Sequence, residues 1–386
     1  MWIELSDEII EYAKEIKSPF DKGIIALNSL FDSMLKQHHV VFGSIELLDY
    51  LRENEMISLT NRKFIEWIMQ KYVYIYEASD IVEYKILVTL EGNCITREGK
   101  NFFVPIKFLY EVRETKLLAE HESDAQLFRN IFLQMYNKKK LSKNYDIRFE
   151  NDSFHGANAP SKLKQAAMEQ RIMLCLIDSD KDYDSAASGA TYKGANNVYK
   201  KIKNKNIVNM RQLGVREKEN LFSPDFYSLV SDDKKILLEV LQTEGANDNA
   251  IKYFDIKEGI KYKNVNLDSW KEHYNGILEE CKKRGIYVEP PEELENKEQH
   301  ICVEGIGGRL CDAANEILLS TQEDIEKYLH QYAISKEKEK EIYECRKDVI
   351  GKLPVCLQEE WCEIFKVLFS WGCCLSSKMI PVYDFN

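Results

Sequence analysis

The stretch LCLIDSDKDYD, Leu174 to Asp184, constrains this chain more than any other. A run of apolar residues ends abruptly in four aspartates: Asp178, Asp180, Asp182 and Asp184. An apolar run without alternation reads as a strand buried on both faces, the mark of a parallel sheet covered by helices. Carboxylates at this density repel one another unless water or a cation offsets the charge. Two expectations follow: a parallel sheet with helices on both faces, and a cation at the end of its central strand.

The neighbouring sequence supplies the rest of that sheet. ETKLLAE (114–120), NYDIRFE (144–150), RIMLCLIDSD (171–180) and NIVNMRQ (206–212) read as strands. Helical spacing in SDAQLFRNIFLQMY, SKLKQAAMEQ and NNVYKKIKNK alternates with them. This β-α-β order predicts a mostly parallel, Rossmann-like α/β sheet with strands near 116–119, 147–149, 173–177 and 207–211.

The flanks read differently. Amphipathic helices are expected over 6–16, 21–37, 44–53 and 61–71. A β-hairpin pairing 83–90 with 101–110 follows. Beyond Pro224 helical patterns dominate, with Ser320 and Glu323 forming a capping box for a helix through Tyr332. EPPEELENKEQH (289–300) reads as a linker. Three domains are expected: a helical and hairpin domain over 1–112, the α/β domain over 113–226, and a helical domain over 227–386.

The chain's 386 residues carry a formal net charge of −11, which excludes a broadly basic surface for coating nucleic acid. The amino-terminal MWIELSDEII, acidic and amphipathic, does not read as a leader sequence, so none is expected, and no long apolar run suggests a membrane span. The ten cysteines are scattered without a C-x-x-C pair, so zinc spacing is absent and buried, reduced thiols of a cytoplasmic protein are expected. There is no Walker A motif.

Functional groups of parallel sheets gather at the strands' carboxyl ends. Three acidic clusters fall there: Glu120, Glu122 and Asp124 in EHESD; Asp178 and Asp180 in DSD; Glu217 and Glu219, with Asn220, in REKEN. Hard oxygen donors select Mg²⁺ or Mn²⁺. Asp182 and Asp184 read as solvated loop acids without a role. The segment from His155 to Asn158, after a strand, reads as a plain turn, and EGIGGR (304–309) as a flexible one.

These motifs resemble those of TOPRIM domains. KLLAEHESDAQLF looks like the opening TOPRIM motif, LCLIDSD like its D-x-D motif, and REKENLF like the E-x-E-N-L stretch of OLD-type nucleases and phage-defence effectors. The resemblance covers roughly residues 114–224. It implies a Mg²⁺- or Mn²⁺-dependent nuclease with Glu120 as the catalytic glutamate. The metal-binding acids would be Glu120, Asp124, Asp178, Asp180, Glu217 and Glu219. Lys218 or Arg216 would stabilise transition-state charge, and His121 would touch phosphate. His121 stands where the family usually has glycine, which puts the turn in question. Lys200 and Lys201, in one of two lysine-rich stretches, are candidate nucleic-acid contacts, although helix carboxyl ends lie at the edge opposite the acids. The resemblance also implies a role in anti-phage defence with an ATPase partner. A homo-oligomer is expected. The alternative is a non-catalytic TOPRIM-like scaffold that binds a partner. Topoisomerase and primase readings lack a recognisable tyrosine signature and a zinc ribbon, respectively.

Overall fold

The computed structural model describes residues 1–16, 18–141, 143–244 and 248–380. Met173–Ile177 form the strand expected of them, β9, and every residue of it is buried. It pairs in parallel with β6 (Lys116–Ala119) on one side and β10 (Val208–Gln212) on the other. β8 (Glu150–Ser153) joins the free edge of β6, also parallel, giving the order β10-β9-β6-β8. Successive side chains of a strand face opposite ways. Met173, Cys175 and Ile177 therefore pack with Leu163, Ala166, Ala195 and Val198 of the helices Ala159–Met168 and Ala190–Ile202. Leu174 and Leu176 join the larger core, with Phe128 and Phe132 of the helix Glu122–Lys138. The architecture is α/β with a mostly parallel sheet, as its unbroken apolar strand requires.

The strand expected at 147–149 is not part of this sheet. Tyr145–Ile147 form β7, antiparallel to β13 (Cys373–Leu375). The fourth place goes to Glu150–Ser153, whose sequence ENDS has no apolar alternation. An edge strand is held by main-chain bonds on one side only and needs no such pattern.

The amino-terminal region contains a second sheet, ordered β2-β1-β3-β5-β4. Its strands are β1 (Trp2–Leu5), β2 (Val40–Phe42), β3 (Lys85–Thr89), β4 (Thr96–Glu98) and β5 (Asn101–Pro105). The expected hairpin is corrected here. β3 and β5 run parallel, and the antiparallel partner of β5 is β4. The chain between β3 and β5 returns along β4 and reverses at Gly99, whose φ of 59° suits glycine. The helices around this sheet follow the expected series. Asp21 caps Lys22–Leu35 through the amides of Gly23 and Ile24, and Ser44 caps Ile45–Glu53 through that of Leu47.

The carboxyl-terminal region is mainly helical but includes the antiparallel pair β11 (Gly259–Lys261) and β12 (Ile301–Glu304). Gly259 has φ 89° and lies so close to β12 that a Cβ there would stand 1.9 Å from the Val303 carbonyl oxygen. The expected capping box of Ser320 and Glu323 does not form. Ser320 follows the π-helical turn Asn315–Leu319, and the next helix, Ile325–Gln331, starts after Asp324, whose carboxylate accepts from Thr321 Oγ1 at 2.8 Å and caps no amide. The final helix, Val355–Gly372, returns to the middle sheet. There Phe365 stacks on Phe132 at 5.3 Å, and Trp361 Nε1 donates to the Leu221 carbonyl at 2.9 Å. All ten cysteines are free thiols, with Cys94 alone exposed. Among the described residues no helix is long and apolar enough to cross a membrane.

Candidate metal centre at the carboxyl edge of the middle sheet

Parallel pairing with Leu118 opposite Cys175 brings the ends of β6 and β9 to one edge, so Glu120 and Asp178 leave the sheet side by side. The segment after β10 folds back over the same edge. Leu213 N donates to the Ile177 carbonyl at 2.9 Å, and Ser179 N and Asp180 N both donate to the Arg216 carbonyl at 2.9 Å. Ser179 Oγ adds a bond to the Val215 carbonyl at 2.7 Å. Main-chain bonds thus clamp the DSD loop to the REKEN segment.

The result is a concentration of acids around Asp178. Burial raises its carboxyl well above the usual aspartate range, and Glu217, Glu219, Asp124 and Glu120 add to the rise. All three acidic motifs expected from sequence meet in that one electrostatic neighbourhood. Glu217 is pushed up to about 7, first by burial and then by Asp255 and Glu219. Burial also raises Glu219, whose side chain is 1% exposed. Both carboxylate oxygens of Glu219, and Oε2 of Glu217, lack a hydrogen-bond partner. Buried acceptors left in this way are costly unless a cation or proton meets them.

Asp180 belongs to a different neighbourhood from Asp178. Its backbone is left-handed, with φ 50°. Burial raises its carboxyl, Arg216 opposes the rise, and Asp255 adds to it. A Cβ on Gly189 would stand 2.1 Å from Asp180 Oδ2, so the loop closes only over glycine.

The cations are largely engaged. Lys218 Nζ donates to Asp124 Oδ1 at 2.7 Å. Arg216 holds Asp182 at 2.6 Å and Asp255 at 2.9 Å, with Glu217 at 3.5 Å. Arg216 thus locks the loop and does not stand open to a polyanion. The acids expected to be idle have partners too: Asp182 pairs with Arg216, and Asp184 accepts from the Tyr253 hydroxyl at 3.1 Å. Lys257, which sequence reasoning missed, stands 3.7 Å from Glu217 and 3.9 Å from Glu219. Asp255 was missed as well. Neither lies in a motif, and the only local signal is charge just ahead of Gly259.

His121 has extended backbone, φ −127° and ψ 160°, so the turn that glycine would ease carries no strain here. Its amide donates to Asp124 Oδ2 at 2.9 Å, and its ring lies 5.6 Å from that of His155. His155 N donates to the Glu120 carbonyl at 3.1 Å. The segment expected to be a plain turn therefore borders the site. So does the glycine-rich loop expected to be flexible: Gly305, Ile306 and Gly307 donate to the carbonyls of Glu258, Ile256 and Lys257, and Gly308 faces Glu219. Lys200 and Lys201 lie in the last turn of the helix Ala190–Ile202, whose other end adjoins Gly189. At 1.5 Å per residue they stand roughly 15 Å from the acids' edge.

Among the described residues no three His, Cys, Asp or Glu side chains stand close enough to ligate one ion as placed. The donors are nevertheless all hard oxygens, and the orphaned oxygens of Glu217 and Glu219 are acceptors that a divalent cation satisfies. The chemistry of the set fits Mg²⁺ or Mn²⁺, with side-chain rotation needed to close a shell. Comparison with protein-family models, with curated proteins and with solved structures returns no match.

Proposed function

We propose that this chain is a TOPRIM-type nuclease of the OLD-like kind, dependent on Mg²⁺ or Mn²⁺ and hydrolysing phosphodiesters of DNA or RNA. The observation that carries the reading is the Asp178 carboxyl, raised by burial and by Glu217, Glu219, Asp124 and Glu120 at one sheet edge. A structural acid is normally paired with a base. This one stands among acids that outnumber the nearby base Lys257, an arrangement associated with functional sites.

Asp178, Glu120, Glu217 and Glu219 would hold the cation, and Asp180 would join from the adjoining loop. A bound divalent ion supplies charge stabilisation to the attacking and leaving oxygens of a phosphodiester. Without the ion Glu217 is pushed up to about 7 by burial, so it would give up a proton on binding a cation near neutral pH. Lys257 brings positive charge among the acids, while Lys218 positions Asp124. Anti-phage defence in the cytoplasm, activation by an ATPase partner and a homo-oligomeric state rest on the family resemblance and belong to the same proposal.

The test is incubation of purified protein with DNA, total RNA and tRNA in Mg²⁺, Mn²⁺ or EDTA. Cleavage of one substrate with metal and none with EDTA is expected. No cleavage under any condition, together with calorimetric metal binding that ignores Asp178→Asn, favours the scaffold reading.

A further inference from the structure

Beside the acidic edge lies a second cavity, of about 400 Å³, between the first turns of the helix Glu122–Lys138 and the segment from Arg309 to Tyr332. Ser123 belongs to both places. It lines the cavity, and its hydroxyl lies 3.5 Å from Lys218 Nζ and from Asp124 Oδ1. Arg309, also on the wall, directly follows Gly308, which faces Glu219.

The lining is unusual for its amides and rings. Asn130 Nδ2 donates to Asn315 Oδ1 at 3.0 Å, and both residues are buried. Gln126 Nε2 donates to Asn130 Oδ1 at 3.0 Å, extending the amide chain to the surface. Tyr328 and Tyr332 supply aromatic surface, and the Tyr332 hydroxyl donates to Glu316 Oε2 at 2.8 Å. Asn315 and Glu316 sit on the π-helical turn, a distortion that recurs at functional sites because it re-aims side chains. A cavity walled by amides, carboxylates and tyrosines suits a flat heterocycle with polar edges.

Charge narrows the ligand. Asp312, Glu316 and Asp324 outnumber Arg309, so a phosphate is disfavoured inside. Carboxylates accept from base N–H edges, as they do from cytosine N4. Guanine presents N1–H and an exocyclic amine along one edge, whereas uracil presents a single N–H. We propose that this cavity receives a nucleobase of the substrate, guanine in preference to uracil, while the phosphate remains outside near Arg309 and the acidic edge. The inference rests on the nucleic-acid reading of that edge and adds to it the part of the substrate that is recognised.

Binding of guanosine, cytidine and uridine 5′-monophosphates is measured by calorimetry on the full chain in EDTA. Guanosine monophosphate is expected to bind at least several-fold more tightly than uridine monophosphate. Tyr328→Ala should weaken it by roughly tenfold through lost stacking. Asp312→Asn, at an exposed position, should reduce the guanine preference. No binding of any nucleotide, equal binding of all three, or binding unchanged by Tyr328→Ala in a folded variant overturns the inference. Because no metal is present, the outcome is separate from cleavage. Nucleotide binding without nuclease activity would overturn the proposed function alone, and cleavage without nucleotide binding would overturn this inference alone.

Discussion

Lys218 and Asp124 form a largely buried ion pair at 2.7 Å, the lysine side chain 13% exposed, that ties the segment after β10 to the helix after β6. Asp124 raises the Lys218 ammonium above the usual lysine range, although burial works against the charge. Removing the lysine leaves Asp124 buried and unpaired, which costs about 3–5 kcal/mol for a buried pair broken on one side. Lys218→Met should therefore unfold at markedly lower denaturant concentration. Lys218→Met with Asp124→Asn should recover part of the loss. Equal stability of Lys218→Met and wild type in urea titration would show the pair to be incidental.

Gly189→Ala addresses the DSD loop without touching a carboxylate. The new Cβ would overlap Asp180, so the loop must shift. Overpacking of this kind costs about 1–3 kcal/mol. Cleavage is expected to fall by more than the loss of folded protein accounts for, as read by initial rates normalised to the folded fraction.

Asp178→Asn keeps the shape of the site and removes a negative donor. Cleavage should drop by orders of magnitude, while polymer binding by filter retention stays level or rises, because repulsion of phosphate falls. If the proposed nuclease is held in check by a partner, expression of wild type alone should slow growth of the host, and Glu120→Gln should relieve this. A wild-type rate for Asp178→Asn would end the metal-nuclease reading.

The acids also set a pH dependence in metal-free protein. Glu217 titrates at about 7 when folded, against 4.5 for an ordinary exposed glutamate. Between those values the folded chain binds more protons than the unfolded one. Its contribution to stability is thus full below about pH 4.5 and is lost as pH rises towards 7, on the order of 3 kcal/mol in total. His39 acts in the opposite sense, since burial holds its pKa well below 6.5. The informative quantity is the difference between wild type and Glu217→Gln. The variant should gain on wild type in melting temperature from pH 5 to 7.5, and parallel curves would rule out Glu217 as the titrating group.

What could be read from sequence follows from where apolar residues decide structure. β6 and β9 were legible because burial on both faces demands apolar runs, and β10, VNMRQ, because it follows a helix in the alternating order; the acids follow their carboxyl ends. β8 was not, since Glu150–Ser153 owe their place to main-chain pairing with β6. The parallel course of β3 and β5 was hidden because a short β4 in the connection makes a hairpin by itself. At the site, the motif acids around Asp178 were legible. Asp255 and Lys257 were not, because the long-range antiparallel pair β11–β12 delivers them from a stretch with no motif. Arg216 was identifiable as a cation, but its engagement by Asp182 and Asp255 depends on the loop's closed path.

The helix Val355–Gly372 has a consequence for synthesis. It packs against the helix Glu122–Lys138, Phe365 on Phe132, and its Trp371 carbonyl accepts from Thr115 Oγ1 at 2.7 Å, across 256 residues of chain. During translation the β6–β10 strands emerge long before this cover does, and contacts of such separation form late. A ribosome carrying a chain shorter than about 370 residues therefore holds an acidic edge beside a helix, Glu122–Lys138, that still lacks its packing partner. The acidic edge is thus fully supported only after the last helix has left the exit tunnel.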